Sequence, residues 1–152
     1  MSRSPDVPSK LTLEDRQAII DATILYCWAI DERDYEALDR VFVPDVHCEY
    51  RSIAPAFSGL AALKKILAAA LDPLDLTQHM LTNHQIDMTE EGPRSRCYFH
   101  AQHVRASASG GPNFVVAGVY SDLWQSTEEG WRSRWRSLDV RWTEGNPEVV
   151  AR

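Results

Sequence analysis

The chain has 152 residues, of which 44% are hydrophobic, and a formal net charge of −6 at pH 7. This length and apolar content predict one domain with a substantial core, while the acidic balance argues against nucleic acid as a partner, because a phosphate backbone requires a basic face. No stretch is apolar for long enough to span a membrane or to serve as a signal peptide, so we expect a cytoplasmic protein with no membrane partner.

The first half of the sequence predicts mainly helices. Residues 1–10 carry two prolines and little apolar sequence, which is typical of a flexible arm. Thr12 and Asp15 have the spacing of a capping box, which begins a helix that runs to about Ile30. Three elements follow in order: a short helix from Asp34 that Pro44 ends, a strand at 46–53, and a helix between Ser58-Gly59 and Asp72-Pro73.

The second half changes to the two-residue period of strands. Strands are predicted at about 78–89, 95–107, 113–126 and 131–143, with turn sequences between them. Helices followed by antiparallel strands indicate the α+β class. We expect a cone-shaped α+β barrel, in which a strongly curved mixed or antiparallel sheet and three N-terminal helices enclose a pocket. The single domain is expected to cover 11–146, with 147–152 as a short polar tail.

Asp31, at the end of the first predicted helix, is the charged residue that most needs an explanation. At helical spacing it falls on the apolar stripe formed by Ile20, Ile24 and Cys27, so a face meant for the core ends in a carboxylate. Buried carboxylates are rare unless they have a partner. The alternative is a corner cap in which Asp31 pairs with Arg33 or another arginine.

Two histidines on the predicted strands, His79 and His103, are candidate partners for Asp31. His103 has the parity of the apolar residues on its strand and should face the interior. The mixed pattern around His79 leaves its side open, and His84 has the opposite parity. A carboxylate beside an imidazole fixes the tautomer and raises its basicity, which points to acid–base chemistry. A lone interior histidine is more often a hydrogen-bonded core residue.

The sequence does not indicate a metal site. Cys27, Cys48 and Cys97 have no CxxC spacing, and we interpret them as small core residues. The histidines lack a ligand spacing such as HxxxH on a helix, so metal binding is the weaker use of these side chains.

Several segments resemble a known family. They are YCWAIDERDYEALDRVF, QHMLTNHQI, YFHAQHV, GVYSDLW, EEGW and the closing DVRW. Together they resemble the SnoaL-like branch of the nuclear-transport-factor-like (ketosteroid isomerase-like) cone-fold superfamily, and within it scytalone dehydratase and its bacterial relatives. The resemblance covers about residues 11–146 and implies the cone fold with a small-molecule site in its pocket.

The resemblance also implies roles for individual residues. Asp31 and His79 match the catalytic dyad, in which His79 abstracts a proton from carbon and Asp31 holds the ring. His103 matches the second histidine of scytalone dehydratase, and Tyr50 matches a tyrosine that acts on the substrate carbonyl through water. Ile30 stands where the fungal enzyme has a tyrosine, and Asp122 falls near its pocket asparagine. The substrate-binding residues that we predict are Tyr26, Leu81, Phe99, Val116, Tyr120 and Asp122.

The function implied is a cofactor-independent lyase, most simply a dehydratase that removes water by β-elimination from a small cyclic hydroxy-ketone. Such a reaction needs a base, a donor to the enolate oxygen and an acid for the departing hydroxide. We assign these roles to His79, to Tyr50, and to either His103 or the proton carried by His79. An isomerase or cyclase on the same scaffold is the first alternative. The second is a non-catalytic binding or assembly subunit, in which Asp31, His79 and His103 would not converge on one cavity.

The resemblance further implies a small hydrophobic or aromatic-like substrate, no cofactor and a homo-oligomer, with a trimer favoured over a dimer. The tryptophans of the last two strands are too many for one core face. Some of them are therefore expected at a subunit interface or at the pocket rim.

Overall fold

Helix α1 (Leu13–Asp31) begins at the predicted capping box in the computed structural model, which describes residues 10–151. The Thr12 hydroxyl accepts a hydrogen bond from the backbone N–H of Asp15, and the Asp15 carboxylate accepts one from the backbone N–H of Thr12. The predicted arm at 1–10 lies outside the described residues except for Lys10.

Helices and strands follow α1 in the predicted order. A 3₁₀ helix (Tyr35–Arg40) starts where the Asp34 side chain accepts a hydrogen bond from a backbone N–H, and α2 (Leu60–Leu71) ends just before Asp72-Pro73. The strands are β1 (Phe42–Glu49), β2 (Phe57–Ser58), β3 (Leu76–Thr89), β4 (Gly92–Val104), β5 (Asn113–Thr127) and β6 (Gly130–Gly145), and a 3₁₀ helix (Pro147–Val149) follows them. The four long strands predicted in the second half are therefore confirmed.

The six strands form one sheet in the order β2-β1-β6-β5-β4-β3. β1 runs parallel to β6 and all other neighbouring strands are antiparallel, so the sheet is mixed. Register shifts after Thr82 and Ala117 mark bulges, which bend the strands. At Gly118 a Cβ atom would collide with the carbonyl of Asp139, so only glycine fits this bulge. The curved sheet with helices packed on it confirms the predicted α+β cone.

Predictions at two element ends were wrong. Pro44 does not end a helix but lies in β1, at the interruption of the β1–β6 ladder between Phe42 and His47, where its missing N–H costs no hydrogen bond. Residues 50–53 form a turn instead of extending the strand. Within the expected tail at 147–152, Val149 is fully buried in the 3₁₀ helix that follows β6.

The main core lies between α1, α2 and the sheet. Cys27, Cys48 and Cys97 are free thiols buried in it, which confirms their interpretation as core residues. Burial raises the pKa of each to about 12, so none is a thiolate at neutral pH. Among residues 10–151, no helix combines the length and the apolar character needed to cross a membrane.

Candidate active site

A cavity of about 340 Å³ opens between the helices and the sheet. Most of its wall is apolar, with Ile30, Leu67, Phe99, Val116 and Leu138 among the lining residues. Polar atoms come from two groups of side chains, a pair of histidines and a set of tyrosines, and from Ser52 and Thr143. An apolar cavity with a few convergent polar groups is the usual form of a small-molecule site.

Asp31 and His79 are in direct contact at the wall of this cavity. Asp31 is the last residue of α1, and His79 lies near the start of β3. The Asp31 Oδ1 atom accepts a hydrogen bond from Nδ1 of His79 at 2.6 Å, and Oδ2 accepts one from the backbone N–H of His79 at 2.8 Å. Because Nδ1 carries the donated proton, Nε2 is the basic nitrogen of the neutral ring. His79 lines the cavity, so a base is available to a bound molecule.

Thr77 and Arg33 hold this pair in position. Thr77 was not singled out in the sequence, and Arg33 was considered only as a partner of the Asp31 carboxylate. The Thr77 hydroxyl donates to Asp31 Oδ1 at 3.0 Å and accepts from Nη1 of Arg33 at 2.8 Å. Arg33 has a left-handed φ of 61°, and its guanidinium also donates to the carbonyls of Ile30 and Leu71. Arg33 therefore ties the end of α1 to the end of α2. It contacts the backbone carbonyl of Asp31 but not the carboxylate, so the corner-cap alternative was wrong.

The surroundings of Asp31 keep its carboxyl group ionised. Burial raises the pKa of Asp31, but hydrogen bonds from His79 and Thr77 and the charge of His79 outweigh burial and lower the pKa below its ordinary value of 3.8. The predicted stripe is only partly buried, since Cys27 is buried and Ile24 is 40% exposed. Asp31 thus sits where the buried face of α1 meets the surface, with 16% of its side chain exposed.

His103 faces the same cavity, as its strand parity predicted. Its ring centroid lies 5.9 Å from that of His79, with the two rings at 79°. Nδ1 of His103 donates to the carbonyl of Phe114 at 3.3 Å, which leaves Nε2 as an acceptor. Burial, together with the charge of the neighbouring His79, lowers the pKa of His103 to about 4. His103 is therefore neutral at pH 7.

Three tyrosines supply the second polar group of the cavity. Tyr26 on α1 and Tyr50 just after β1 are fully buried, and their hydroxyl oxygens lie 3.0 Å apart. Tyr120 on β5 stacks on Phe99, with ring centroids 4.4 Å apart. Burial raises the pKa of Tyr26 to about 12 and that of Tyr50 well above 10. Both hydroxyls are therefore protonated at neutral pH and can donate hydrogen bonds.

Asp122 was predicted to bind substrate but does not line the cavity. It is buried against its cross-strand partner Arg136, whose Nε and Nη2 atoms donate to the two carboxylate oxygens at 2.8 and 2.9 Å. Ser133 donates to the same carboxylate at 2.7 Å. The parity of Asp122 on β5 places it on the face of the sheet that the helices cover. Its carboxylate nevertheless lies in the core, paired with Arg136, and not at the cavity wall.

Leu81 was also predicted to line the cavity and does not. It packs beneath α1 against the main core and borders a separate, more open cleft of about 700 Å³ between α1 and β3. Asp31 faces this cleft as well, and His79 lines both the cleft and the cavity. His79 thus separates its carboxylate partner from the cavity.

His84 differs from the prediction because of a bulge. Asn83 has a left-handed φ of 57° within the register shift of β3, which reverses the alternation of side chains. His84 therefore turns toward α1, with Nε2 2.9 Å from the hydroxyl of Thr23, and borders the same cleft as His79. Strict alternation along β3 had placed it on the opposite side.

The structure brings most of the predicted site residues together. Asp31 reaches the cavity through His79, Leu81 and Asp122 lie outside its wall, and the lining residues are Tyr26, Tyr50, His79, Phe99, His103, Val116 and Tyr120. This convergence is the arrangement that a non-catalytic subunit was expected to lack. Within residues 10–151, no group of three or more His, Cys, Asp or Glu side chains is arranged to hold a metal ion.

Comparisons with known proteins agree with this architecture. The uncharacterized protein Rv2910c of Mycobacterium tuberculosis is 29% identical over 121 residues, which are 79% of this chain and 81% of the relative. The Kfla4162 protein from Kribbella flavida has the same fold, with a TM-score of 0.82 and 23% identity over 91% of this chain and 98% of that one. A candidate scytalone dehydratase from Novosphingobium aromaticivorans has a TM-score of 0.76 and 25% identity over 87% of each chain.

The comparison with family models decides the family. The model of the SnoaL-like domain matches residues 11–137, from just before α1 into β6. That range includes every residue of the Asp31–His79 site and the tyrosine group. The chain therefore belongs to the SnoaL-like domain family.

Proposed function

We propose that the protein is a cofactor-independent lyase, a dehydratase that removes water from a small cyclic hydroxy-ketone by β-elimination. The observation that carries the proposal is the 2.6 Å contact between Asp31 and His79, with the histidine at the wall of an apolar cavity. The structural likeness to a candidate scytalone dehydratase supports the same reaction class.

His79 is the general base in this proposal. Nδ1 is held by Asp31, so Nε2 takes the proton from the carbon next to the substrate carbonyl. The ionised Asp31 stabilises the imidazolium that forms and keeps the ring in the reactive tautomer. Hydrogen bonds from Thr77 and from the backbone of His79 fix the carboxylate, which limits its reorganisation during proton transfer.

In this proposal the Tyr26–Tyr50 pair donates a hydrogen bond to the carbonyl oxygen of the substrate. One hydroxyl of the Tyr26–Tyr50 pair donates to the other, which leaves one O–H group free to donate to a ligand. That donor stabilises the negative charge that grows on the carbonyl oxygen as the enolate forms. The electron pair of the enolate then re-forms the carbonyl, a carbon–carbon double bond forms, and the C–O bond to the leaving hydroxyl breaks.

The leaving group takes its proton from His79. The hydroxide departs as water when Nε2 of the imidazolium returns the proton that it removed from carbon, so no net proton is gained or lost. His103 is a poor acid at neutral pH, because its pKa is lowered to about 4 by burial and by the charge of His79. Its free Nε2 instead accepts a hydrogen bond from the substrate hydroxyl and orients that group for elimination.

The cavity wall favours a neutral substrate. None of the described residues that line the cavity is Asp, Glu, Lys or Arg, so a carboxylate or phosphate would be buried without a counter-ion in direct contact. The volume of about 340 Å³ suits a compact ring system. Apolar walls and aromatic rings match the faces of such a ring, and the polar groups match its carbonyl and hydroxyl.

The test is a screen of neutral cyclic β-hydroxy-ketones, in which absorbance and mass spectrometry measure the formation of an enone. We expect turnover by the wild type and a loss of at least about 100-fold in the His79→Ala variant. His100→Ala is the matched control, because His100 lies on β4 but faces away from the cavity, against Trp142. A product of unchanged mass would identify an isomerase or cyclase instead. Equal activity of both variants would exclude His79 as the base.

A further inference from the structure

Arg136 lies directly behind the tyrosine group of the cavity. Its side chain is fully buried, and the centre of its guanidinium is 4.3 Å from the ring centroid of Tyr26 and 4.9 Å from that of Tyr120. Both tyrosines line the cavity, whereas Arg136 does not. A cation that is excluded from water acts over such distances with much less screening than at the surface.

The hydrogen bonds of Arg136 are one-sided. Nε and Nη2 donate to Asp122, but the buried Nη1 has no hydrogen-bond partner among residues 10–151. A buried donor without a partner is costly and calls for an explanation. Asp122 binds only the Nε–Nη2 edge of the guanidinium, so the edge that carries Nη1 is not bound by that carboxylate.

We propose that Arg136 is a positioning residue of the site, whose guanidinium, held by Asp122, makes the Tyr26–Tyr50 end of the cavity a binding site for an enolate or phenolate oxygen. The inference rests on the proposed function and specifies how the substrate is oriented in the cavity. The carbonyl lies at the tyrosine end, and the carbon that loses its proton lies toward His79.

The positive charge of Arg136 favours negative charge on the tyrosine oxygens, as a binding site for an enolate oxygen requires. Burial raises the pKa of both Tyr26 and Tyr50, and the charge of Arg136 lowers it, against that trend. A charge that favours negative tyrosine oxygens also favours a negative ligand oxygen that accepts their hydrogen bond. The two hydroxyl oxygens of the Tyr26–Tyr50 pair are 3.0 Å apart, so the hydrogen bond between them extends this stabilisation to the hydroxyl that donates to the ligand.

The experiment uses 4-nitrophenol, because only its anion has the long-wavelength absorption band, and a phenolate mimics an enolate. We expect the pKa of nitrophenol bound to the wild-type protein to fall by about one unit, which is a tenfold preference for the anion. Arg136→Met should remove most of this preference and leave binding of the neutral phenol within about twofold. Arg136→Lys should retain part of it.

Asp122→Asn provides the opposite test. It leaves Arg136 without a counter-charge, so it should strengthen binding of the anion, and a general loss of structure cannot produce opposite effects in the two variants. Nitrophenol that does not bind, or that binds the wild type with an unchanged or raised pKa, overturns the proposal without any variant. Equal anion preference in wild type and in folded Arg136→Met overturns it as well.

The outcome can be separated from that of the proposed lyase. The His79→Gln variant lacks the base. In the same titration, this variant should keep the dependence of phenolate binding on Arg136. A phenolate preference that depends on Arg136, without turnover of any hydroxy-ketone, would contradict the lyase and leave this inference standing. Turnover without such a preference would contradict the role of Arg136 alone.

Discussion

The carboxylate of Asp31 binds His79 twice, through the ring Nδ1 at 2.6 Å and through the backbone N–H at 2.8 Å. The first bond sets the tautomer of the imidazole, and the second fixes the carboxylate relative to the strand that carries the ring. The geometry therefore prepares Nε2 as a base before any ligand binds.

Asp31→Asn should disable this pair with little change in structure. An amide can present its NH₂ group to Nδ1 and so favour the wrong tautomer, and it cannot stabilise the imidazolium. We expect kcat for hydroxy-ketone dehydration to fall by about 10²–10⁴-fold, with little change in the affinity for a non-reactive ketone. Asp21→Asn, at an exposed position of α1, is the control and should keep wild-type kcat. Loss of ketone binding along with kcat would indicate a structural role for Asp31 instead.

Thr77→Val should have a smaller effect of the same kind. It removes one hydrogen bond from the Asp31 carboxylate and one acceptor from Arg33. A single hydrogen bond of this type is worth about 1 kcal/mol, so we expect kcat/KM to fall by about threefold to tenfold. Thr82→Val, at an exposed position of β3, should have no effect. A loss as large as that of Asp31→Asn would contradict a supporting role for Thr77.

The stability of the protein should depend on pH through His103. Burial and the charge of His79 lower its folded-state pKa from 6.5 to about 4, so only the unfolded chain binds a proton between these values. His103 therefore contributes about 3 kcal/mol to the free energy of unfolding. This contribution is complete above pH 6.5 and is lost as the pH falls toward 4. Urea unfolding of wild type and His103→Gln from pH 7.5 to 4 measures it as a difference in slope. Parallel stability curves would contradict the prediction.

The ion pair of Arg136 and Asp122 should behave as a buried pair. Arg136→Met or Asp122→Leu alone leaves an uncompensated charge and should lower the free energy of unfolding by about 3–5 kcal/mol. The double variant should recover more than half of that loss. Lys64→Met, which breaks ion pairs with the exposed Glu36 and Asp39, should cost about 1 kcal/mol or less. Strict additivity of the two single effects would mean that the charges are not coupled.

Part of the site could be predicted because it depends on local periodicity. The helical stripe placed Asp31 on the inward side of α1, and the alternation of β4 placed His103 in the cavity. Both residues lie in regular elements without a bulge between them and the apolar residues that fix their orientation. The resemblance then connected Asp31 to His79, which alternation alone left undecided.

Other features depend on contacts that no local pattern reveals. The bulge at Asn83 reverses the parity of β3, so His84 borders the same cleft as His79 although alternation gave the two residues opposite parity. Asp122 has the parity of the cavity residues, but its cross-strand partner is a buried arginine. Arg33 was considered only as a partner for Asp31, and only the folded chain brings the carbonyl of Leu71 and the hydroxyl of Thr77 within its reach.

Hydrogen–deuterium exchange at the α-carbon of small neutral cyclic ketones is the most direct measurement of proton abstraction by the Asp31–His79 pair. A ketone without a leaving group needs only the base and the enolate donor, so it separates proton abstraction from elimination. NMR in D₂O should show exchange faster than in buffer for the wild type, a loss of at least about 100-fold in Asp31→Asn and His79→Gln, and no change in His100→Gln. Exchange at the buffer rate across the ketones, or exchange that His79→Gln leaves intact, would contradict the assignment of Asp31 and His79 as the base.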